Sequence, residues 1–158
     1  MAFPTPFGHI SMITQIATAN QVAPKKMASD FQTKVDQASE AGETFSKLYY
    51  DSFDKKRHLI QKLYMDSATL IWNGTTVNGL EKILKFFETL PTSEHSIDSL
   101  DCQPLTDQVS GGQMTVAIKT FGTVKYQGSK TRAFHQNFML TSLNNVWKIV
   151  SDSFRFQE

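Results

Sequence analysis

The chain reads as α+β: three helices packed on one face of a strongly bent, mostly antiparallel sheet. Three observations predict this. Helical periodicities come early in the chain and period-2 runs come late. Those late runs follow one another across short turn signals, as antiparallel neighbours do. Gly122, inside the longest run, marks a bulge or bend that helps a sheet curl.

Each element has its own warrant. Ser29 followed by Gln32 is a capping-box pattern. Phe31, Val35, Ala38, Phe45, Leu48, Tyr49 and Phe53 recur at helical spacing, which predicts a long amphipathic helix over 30–53. Asp54 suits the cap of a second, shorter helix bearing Leu59, Ile60 and Leu63. Ala68-Thr-Leu-Ile-Trp72 predicts a short strand, closed by the turn signal Asn73-Gly74. Asn78 with Glu81 opens another helix, lined by Leu80, Ile83, Leu84, Phe87 and Leu90 and ended by Pro91. A strand over 97–105 follows, then a turn at Gly111-Gly112 and a strand over 113–126. Met114, Val116, Ile118, Val124 and Tyr126 make one face of that strand. Gln127-Gly128-Ser129 turns the chain into a strand over 133–141, and the last strand spans 146–156. No internal repeat is present.

The last strand carries apolar residues at both parities. Val146, Val150, Phe154 and Phe156 share one side of the period-2 pattern; Trp147 and Ile149 share the other, together with Arg155. A strand with two apolar faces needs cover on both. A guanidinium on a covered face is costly unless a carboxylate meets it. The pattern therefore predicts that the second sheet face is a protein–protein interface.

At 158 residues the chain suits one domain with a sizeable core. A net charge of +1 argues against strong nonspecific nucleic-acid binding, and Lys55-Lys56-Arg57 reads as a solvated helix surface. The single cysteine, Cys102, forms no internal disulfide and reads as a buried, inert thiol in a reducing setting. No apolar run is long enough to span a membrane. Residues 1–28, with three prolines and no acidic residue before Asp30, read as a flexible extension, and Met27 as a second plausible start. Residues 29–158 form the domain.

Several segments together carry a likeness. Leu63-Tyr-Met-Asp-Ser-Ala-Thr-Leu-Ile-Trp-Asn-Gly74, Gly79 with Leu90-Pro91, Asp101-Cys-Gln-Pro104, Phe134-His-Gln-Asn-Phe138 and Ser151-Asp-Ser-Phe-Arg-Phe156 resemble the nuclear transport factor 2 superfamily. They look most like its nuclear transport factor 2-related export proteins, the small subunits of the bulk mRNA export receptor. The likeness runs from about Phe31 to Glu158. It implies a cone-shaped domain that pairs through its outer sheet face with a similar domain in the large mRNA export receptor subunit. The heterodimer would contact Phe-Gly nucleoporins and carry RNA indirectly, shuttling between nucleus and cytoplasm. The family's interface arginine falls on Arg155, expected to meet a partner aspartate. Strand parity gives Ser151 and Ser153 as its neighbours on the same strand, and the resemblance adds Lys119, Phe121, His135 and Asn137 from the adjoining strands. Phe154, Phe156, Val116, Ile118 and Phe138 are expected to fill the cone.

Departures from the Ran carrier of the superfamily are equally informative. Asn73, Gln127 and Ser129 stand where that carrier has carboxylates, and Ala38 stands near its first-helix tryptophan. Lost charge-assisted acceptors predict weak or absent Ran–GDP binding. An alanine cannot supply an aromatic contact for Phe-Gly repeats, so that contact falls to the partner or the pair.

Other function classes make demands on particular residues. An enzyme needs titratable groups converging in the cone. Asp101, Tyr64, His58 and His135 are the candidates, with His58 read as a solvated helix residue and His135 as facing the interface; His9 has no context. No phosphate loop, metal-ligand spacing or cofactor motif is present. Phe121, Tyr126, Lys125, Lys130 and Arg132 sketch a single-strand stacking platform but are explained as ordinary sheet residues. A homodimer of the Ran-carrier type is disfavoured because the named interface set contains no carboxylate to meet Arg155 across a two-fold axis.

Overall fold

The structure is a computed structural model describing residues 24–105, 114–144 and 146–157, with backbone alone for residues 24–31. Helix α1 (Pro24–Lys55) leads through a 3-10 helix (Arg57–Leu63) into strands β1 (Tyr64–Trp72) and β2 (Thr75–Asn78). Helix α2 (Leu80–Glu88) follows, then β3 (Ser93–Pro104), β4 (Thr115–Tyr126), β5 (Arg132–Leu143) and β6 (Val146–Phe156). The six strands form one sheet in the order β2-β1-β6-β5-β4-β3. β1 and β6 run parallel, and the other neighbouring pairs are antiparallel. The sheet curls without closing, and the helices pack on its inner face, as the sequence predicts.

The boundaries moved in physically instructive ways. The described part of α1 begins at Pro24, so the Ser29–Gln32 pattern lies within the helix rather than at its start. The second helix is a 3-10 turn whose N-cap is Lys56, and Asp54 still belongs to α1. α2 is capped by Gly79 with no side-chain hydrogen bond, so Asn78 and Glu81 form no capping box. β2 was not predicted. It has no apolar alternation, and exists because Asn73 (φ 48) and Gly74 (φ 88) return the chain against β1. The Gly111-Gly112 turn and residues 1–23 of the extension lie outside the described residues.

Aromatic side chains fill the space between helices and sheet. Phe45, Tyr49 and Phe53 on α1, Phe87 on α2, Phe134 and Phe138 on β5, and Trp147 and Phe154 on β6 are each at most 2% exposed. Val116 and Ile118 join them, while Phe156 is half-buried at the rim beneath the Arg132 guanidinium, 3.7 Å from its ring centre. Gly122 sits opposite Ile97 where β3 carries an extra residue, Asp98. A Cβ at Gly122 would collide with the Ser96 carbonyl, so the bend requires glycine.

Arg57 is not the solvated residue the sequence suggested. Its guanidinium donates to the carbonyls of Phe53 (3.1 Å), Leu90 (2.7 Å) and Pro91 (2.8 Å) and to Ser93 Oγ (3.1 Å). It ties the end of α1 to the exit of α2 and the start of β3.

The decisive correction concerns β6. Leu140 pairs with Ile149 and Met139 with Ser151, leaving Val150 as an extra residue. This β-bulge reverses the phase of the strand. Trp147 and Ile149 point inward before it; Asp152 and Phe154 point inward after it. Trp147 and Arg155 therefore lie on opposite faces, as do Val150 and Phe154. The buried face is Trp147 and Ile149 before the bulge and Asp152 and Phe154 after it, while Val146 falls on the outer face by register.

Candidate partner-binding face

The case for an interface must then come from the outer face itself. Strand register assembles it in rows. Phe121, His135 and Arg155 are neighbours across β4, β5 and β6. Lys119, Asn137, Ser153 and Ile71 form the next row, and Ala117, Met139, Ser151 and Thr69 the one after. Strands lie about 4.8 Å apart, so Phe121 and Arg155 are separated by roughly 10 Å. All seven residues expected at the interface fall on this one surface: Arg155, Ser153, Ser151, Asn137, His135, Lys119 and Phe121.

The surface also exposes apolar bulk that the sequence reading did not single out. Ile71 is 41% exposed, Phe121 40%, Met139 37% and Leu143 43%. Phe121 apart, these were missed. Leu143 pairs with Val146 at the far end of β5 and β6, on the same face by register. The signal that could have found Met139 is its alternation with the buried Phe138 and Leu140. Apolar side chains gathered on one sheet face are what a protein interface supplies.

Arg155 is exposed, and its side chain makes no ion pair or hydrogen bond with the described residues. Its guanidinium lies beside the β1–β2 turn at Gly74. His135 Nδ1 is 2.9 Å from Gln157 Oε1. The seven named residues include no carboxylate, but the face extends beyond them to two acids. Asp101 pairs in register with Lys119, and Glu94 with Lys125, at the β3 edge. Each acid has a lysine opposite, and neither is a row neighbour of Arg155.

Asp101 is thereby removed from the cone interior, and His58 is exposed on the 3-10 helix. Tyr64 does point inward, but toward a residue the sequence reading passed over. Asp152 is 1% exposed and accepts hydrogen bonds from Tyr64 Oη (2.5 Å), Gln136 Nε2 (2.8 Å) and Tyr49 Oη (3.3 Å). Burial pushes its pKa up to about 6, against these three hydrogen bonds, which pull it down. Its parity with Phe154 and Phe156 was the available signal. The chain of contacts continues from Gln136 Oε1 to Tyr50 Oη (2.6 Å) and on to Thr120 Oγ1 (2.7 Å).

A second polar group joins α1 to β3. Asp54 accepts from Ser93 Oγ (2.7 Å) and the His95 backbone N–H (2.8 Å), and its Oδ1 lies 2.6 Å from His95 Nδ1. Burial raises the Asp54 pKa, but these partners more than offset it, and the net shift is downward. The His95 ring is enclosed by Tyr50, Phe53 and Phe134, with centroids 4.9, 5.5 and 5.4 Å away. This is a structural latch: the imidazole is packed among rings and presents no reacting face. Among the described residues no three His, Cys, Asp or Glu side chains are placed to hold a metal ion. Phe121 and Tyr126 point to opposite faces, which breaks up the stacking platform.

A model of the nuclear transport factor 2 (NTF2) domain matches residues 41–156. The chain is 51% identical over 133 residues to NTF2-related export protein 2 of Homo sapiens, a match covering 82% of this chain and 94% of that protein. It is 51% identical over 137 residues to NTF2-related export protein 1 of Bos taurus, covering 84% and 98% respectively. Among solved structures, nuclear transport factor 2 from Cryptosporidium parvum superposes with a TM-score of 0.68 at 25% identity, covering 77% of this chain and 95% of that one.

Proposed function

Because the chain belongs to the nuclear transport factor 2 family, we propose that it is a non-enzymatic export adaptor. It pairs through its outer sheet face with the NTF2-like domain of the large mRNA export receptor subunit. The pair carries mRNA through nuclear pores, meets Phe-Gly nucleoporins and moves between nucleus and cytoplasm; this chain touches RNA only indirectly. The names of relatives at 51% identity support an export role.

The observation that carries the pairing is the outer face itself. Exposed Ile71, Met139 and Phe121 share this face with Arg155, an exposed cation with no acid as a row neighbour among the described residues. Such a surface asks for an apolar partner ridge with a carboxylate set into it. Lys119 and Asn137 lie one row away and complete the polar part of the contact.

Ran–GDP is not a favoured partner. Asn73 Oδ1 accepts from the Phe156 backbone N–H (2.9 Å), and Gln127 Oε1 accepts from Thr92 Oγ1 (3.0 Å). Neither offers a free carboxylate to a lysine. Calorimetric titration of the chain with the receptor domain and, separately, with Ran–GDP tests both statements. Tight one-to-one binding of the domain and none of Ran–GDP at micromolar concentration is expected; the reverse pattern would replace the adaptor with a Ran carrier.

A further inference from the structure

The sheet breaks register twice at the same level. On one side of β6, β5 loses step between Met139 and Leu140, with Val150 left over. On the other side, Tyr64 of β1 pairs with Ile149, yet the next pair is Thr69 with Ser151. Four residues of β1 thus face one residue of β6. Around residues 149–151 the regular ladder fails on both flanks of β6, so backbone hydrogen bonds alone leave the angle between the two halves of the sheet weakly defined. One half carries Val146 and Leu143 on its outer face; the other carries Ser153 and Arg155.

One set of side chains spans this seam. Tyr64 stands before the break on β1 and Asp152 after it on β6, joined by a 2.5 Å hydrogen bond. Gln136 of β5 holds the other carboxylate oxygen at 2.8 Å, and Tyr49 of α1 lies 2.8 Å from the Tyr64 hydroxyl. Asp152 has no cationic partner among the described residues. A buried unpaired carboxylate is a poor way to gain stability, and an apolar side chain of similar volume usually does as well or better. What the carboxylate supplies is direction. Hydrogen bonds have preferred lengths and angles, whereas apolar contacts tolerate sliding.

We propose that Asp152 is a positioning residue for the partner face: with Tyr64, Tyr49 and Gln136 it sets the bend at the seam, and so the placement of Arg155 relative to Leu143. The part concerning the partner rests on the adaptor reading above; the part concerning the seam does not.

The test uses Asp152→Leu, Asp152→Asn and Tyr64→Phe in the full chain. Amide hydrogen exchange of residues 64–69 and 148–153 is measured on the chain alone, and partner affinity on the pair. Asp152→Leu is expected to unfold at the same or higher denaturant while its seam amides exchange at least tenfold faster. Its affinity is expected to fall about tenfold, through faster dissociation, with Asp152→Asn recovering most of both. If Asp152→Leu does not fold, Tyr64→Phe, which removes one hydroxyl, reads the same two quantities. Unchanged seam exchange in the folded variants overturns the inference whether or not a partner binds. Faster exchange with unchanged affinity overturns the link to the interface. Failure of the wild-type chain to bind the receptor domain is a failure of the adaptor reading and leaves the exchange result to decide the seam.

Discussion

The phenol of Tyr64 donates a 2.5 Å hydrogen bond to Oδ2 of Asp152, and each of these side chains is 1% exposed. The pair joins the start of β1 to the second half of β6 inside an otherwise aromatic core. It has a thermodynamic signature. The Asp152 pKa is raised to about 6 by burial, so the folded state holds a proton that the unfolded state releases at lower pH. Stability from this group therefore increases as pH falls from above 6 toward the usual carboxylate range, and decreases as pH rises.

Chemical unfolding at pH 5.0 and pH 7.5 should show this directly. Wild type is expected to lose roughly 1–2 kcal/mol more than Asp152→Asn across that interval. Asp54 does not mask the effect. Its pKa is lowered, so its contribution is lost only below the ordinary aspartate range. Equal pH slopes for the two proteins would show that Asp152 is not a buried acid of raised pKa.

Arg57→Ala should destabilise the fold by about 2–3 kcal/mol, because one cation satisfies the carbonyls of Leu90 and Pro91 at the exit of α2 and that of Phe53 on α1. Arg57→Lys should recover only part, since an ammonium cannot spread its donors as a planar guanidinium does. Urea denaturation of the three proteins measures the difference.

Gly122→Ala should cost about 2–4 kcal/mol, since the new methyl has nowhere to go but into the Ser96 carbonyl. Gly128→Ala is the control. Its φ of +85 disfavours alanine, but no atom lies within 4 Å of the added carbon. Its cost should stay near 1 kcal/mol. Melting curves of both variants distinguish steric collision from backbone strain.

Much of this architecture was legible in the sequence. The long helix, the β-rich second half, the bend at Gly122 and the inward set on β4 follow from period and turn chemistry, which are local. Bulges are not local. Val150 has no sequence mark that distinguishes it from a regular strand residue, so a strict two-residue count placed Arg155 beside Trp147. β2 was invisible for a related reason: Thr75–Asn78 is held by its turn and its partner strand, not by an apolar pattern of its own. The seven residues expected at an interface came from family likeness and, for Ser151 and Ser153, from parity with Arg155; register brings them onto one face. Met139 and Ile71 required the observed exposure, and Asp152 required its partners from α1, β1 and β5.

Substitutions on the outer face should separate binding from folding. Arg155→Ala is expected to leave unfolding within about 0.5 kcal/mol of wild type, because the side chain is exposed and pairs with none of the described residues. It should weaken partner binding about 100-fold or more, by stranding the partner's carboxylate in a covered interface. Met139→Lys should weaken binding comparably with little effect on folding. Titration calorimetry beside a denaturation curve reads both quantities; loss of stability in step with loss of affinity would return these residues to a structural role.

The central claim is that this sheet face is made for a different chain. Size exclusion with light scattering, on the chain alone and co-expressed with the NTF2-like domain of the large mRNA export receptor subunit, tests it most directly. The account predicts a one-to-one complex formed at the expense of monomer or aggregate, and lost in Met139→Lys. A stable homodimer that ignores the receptor domain, joined through the same face with Asp101 or Glu94 meeting Arg155 of its twin, would contradict it.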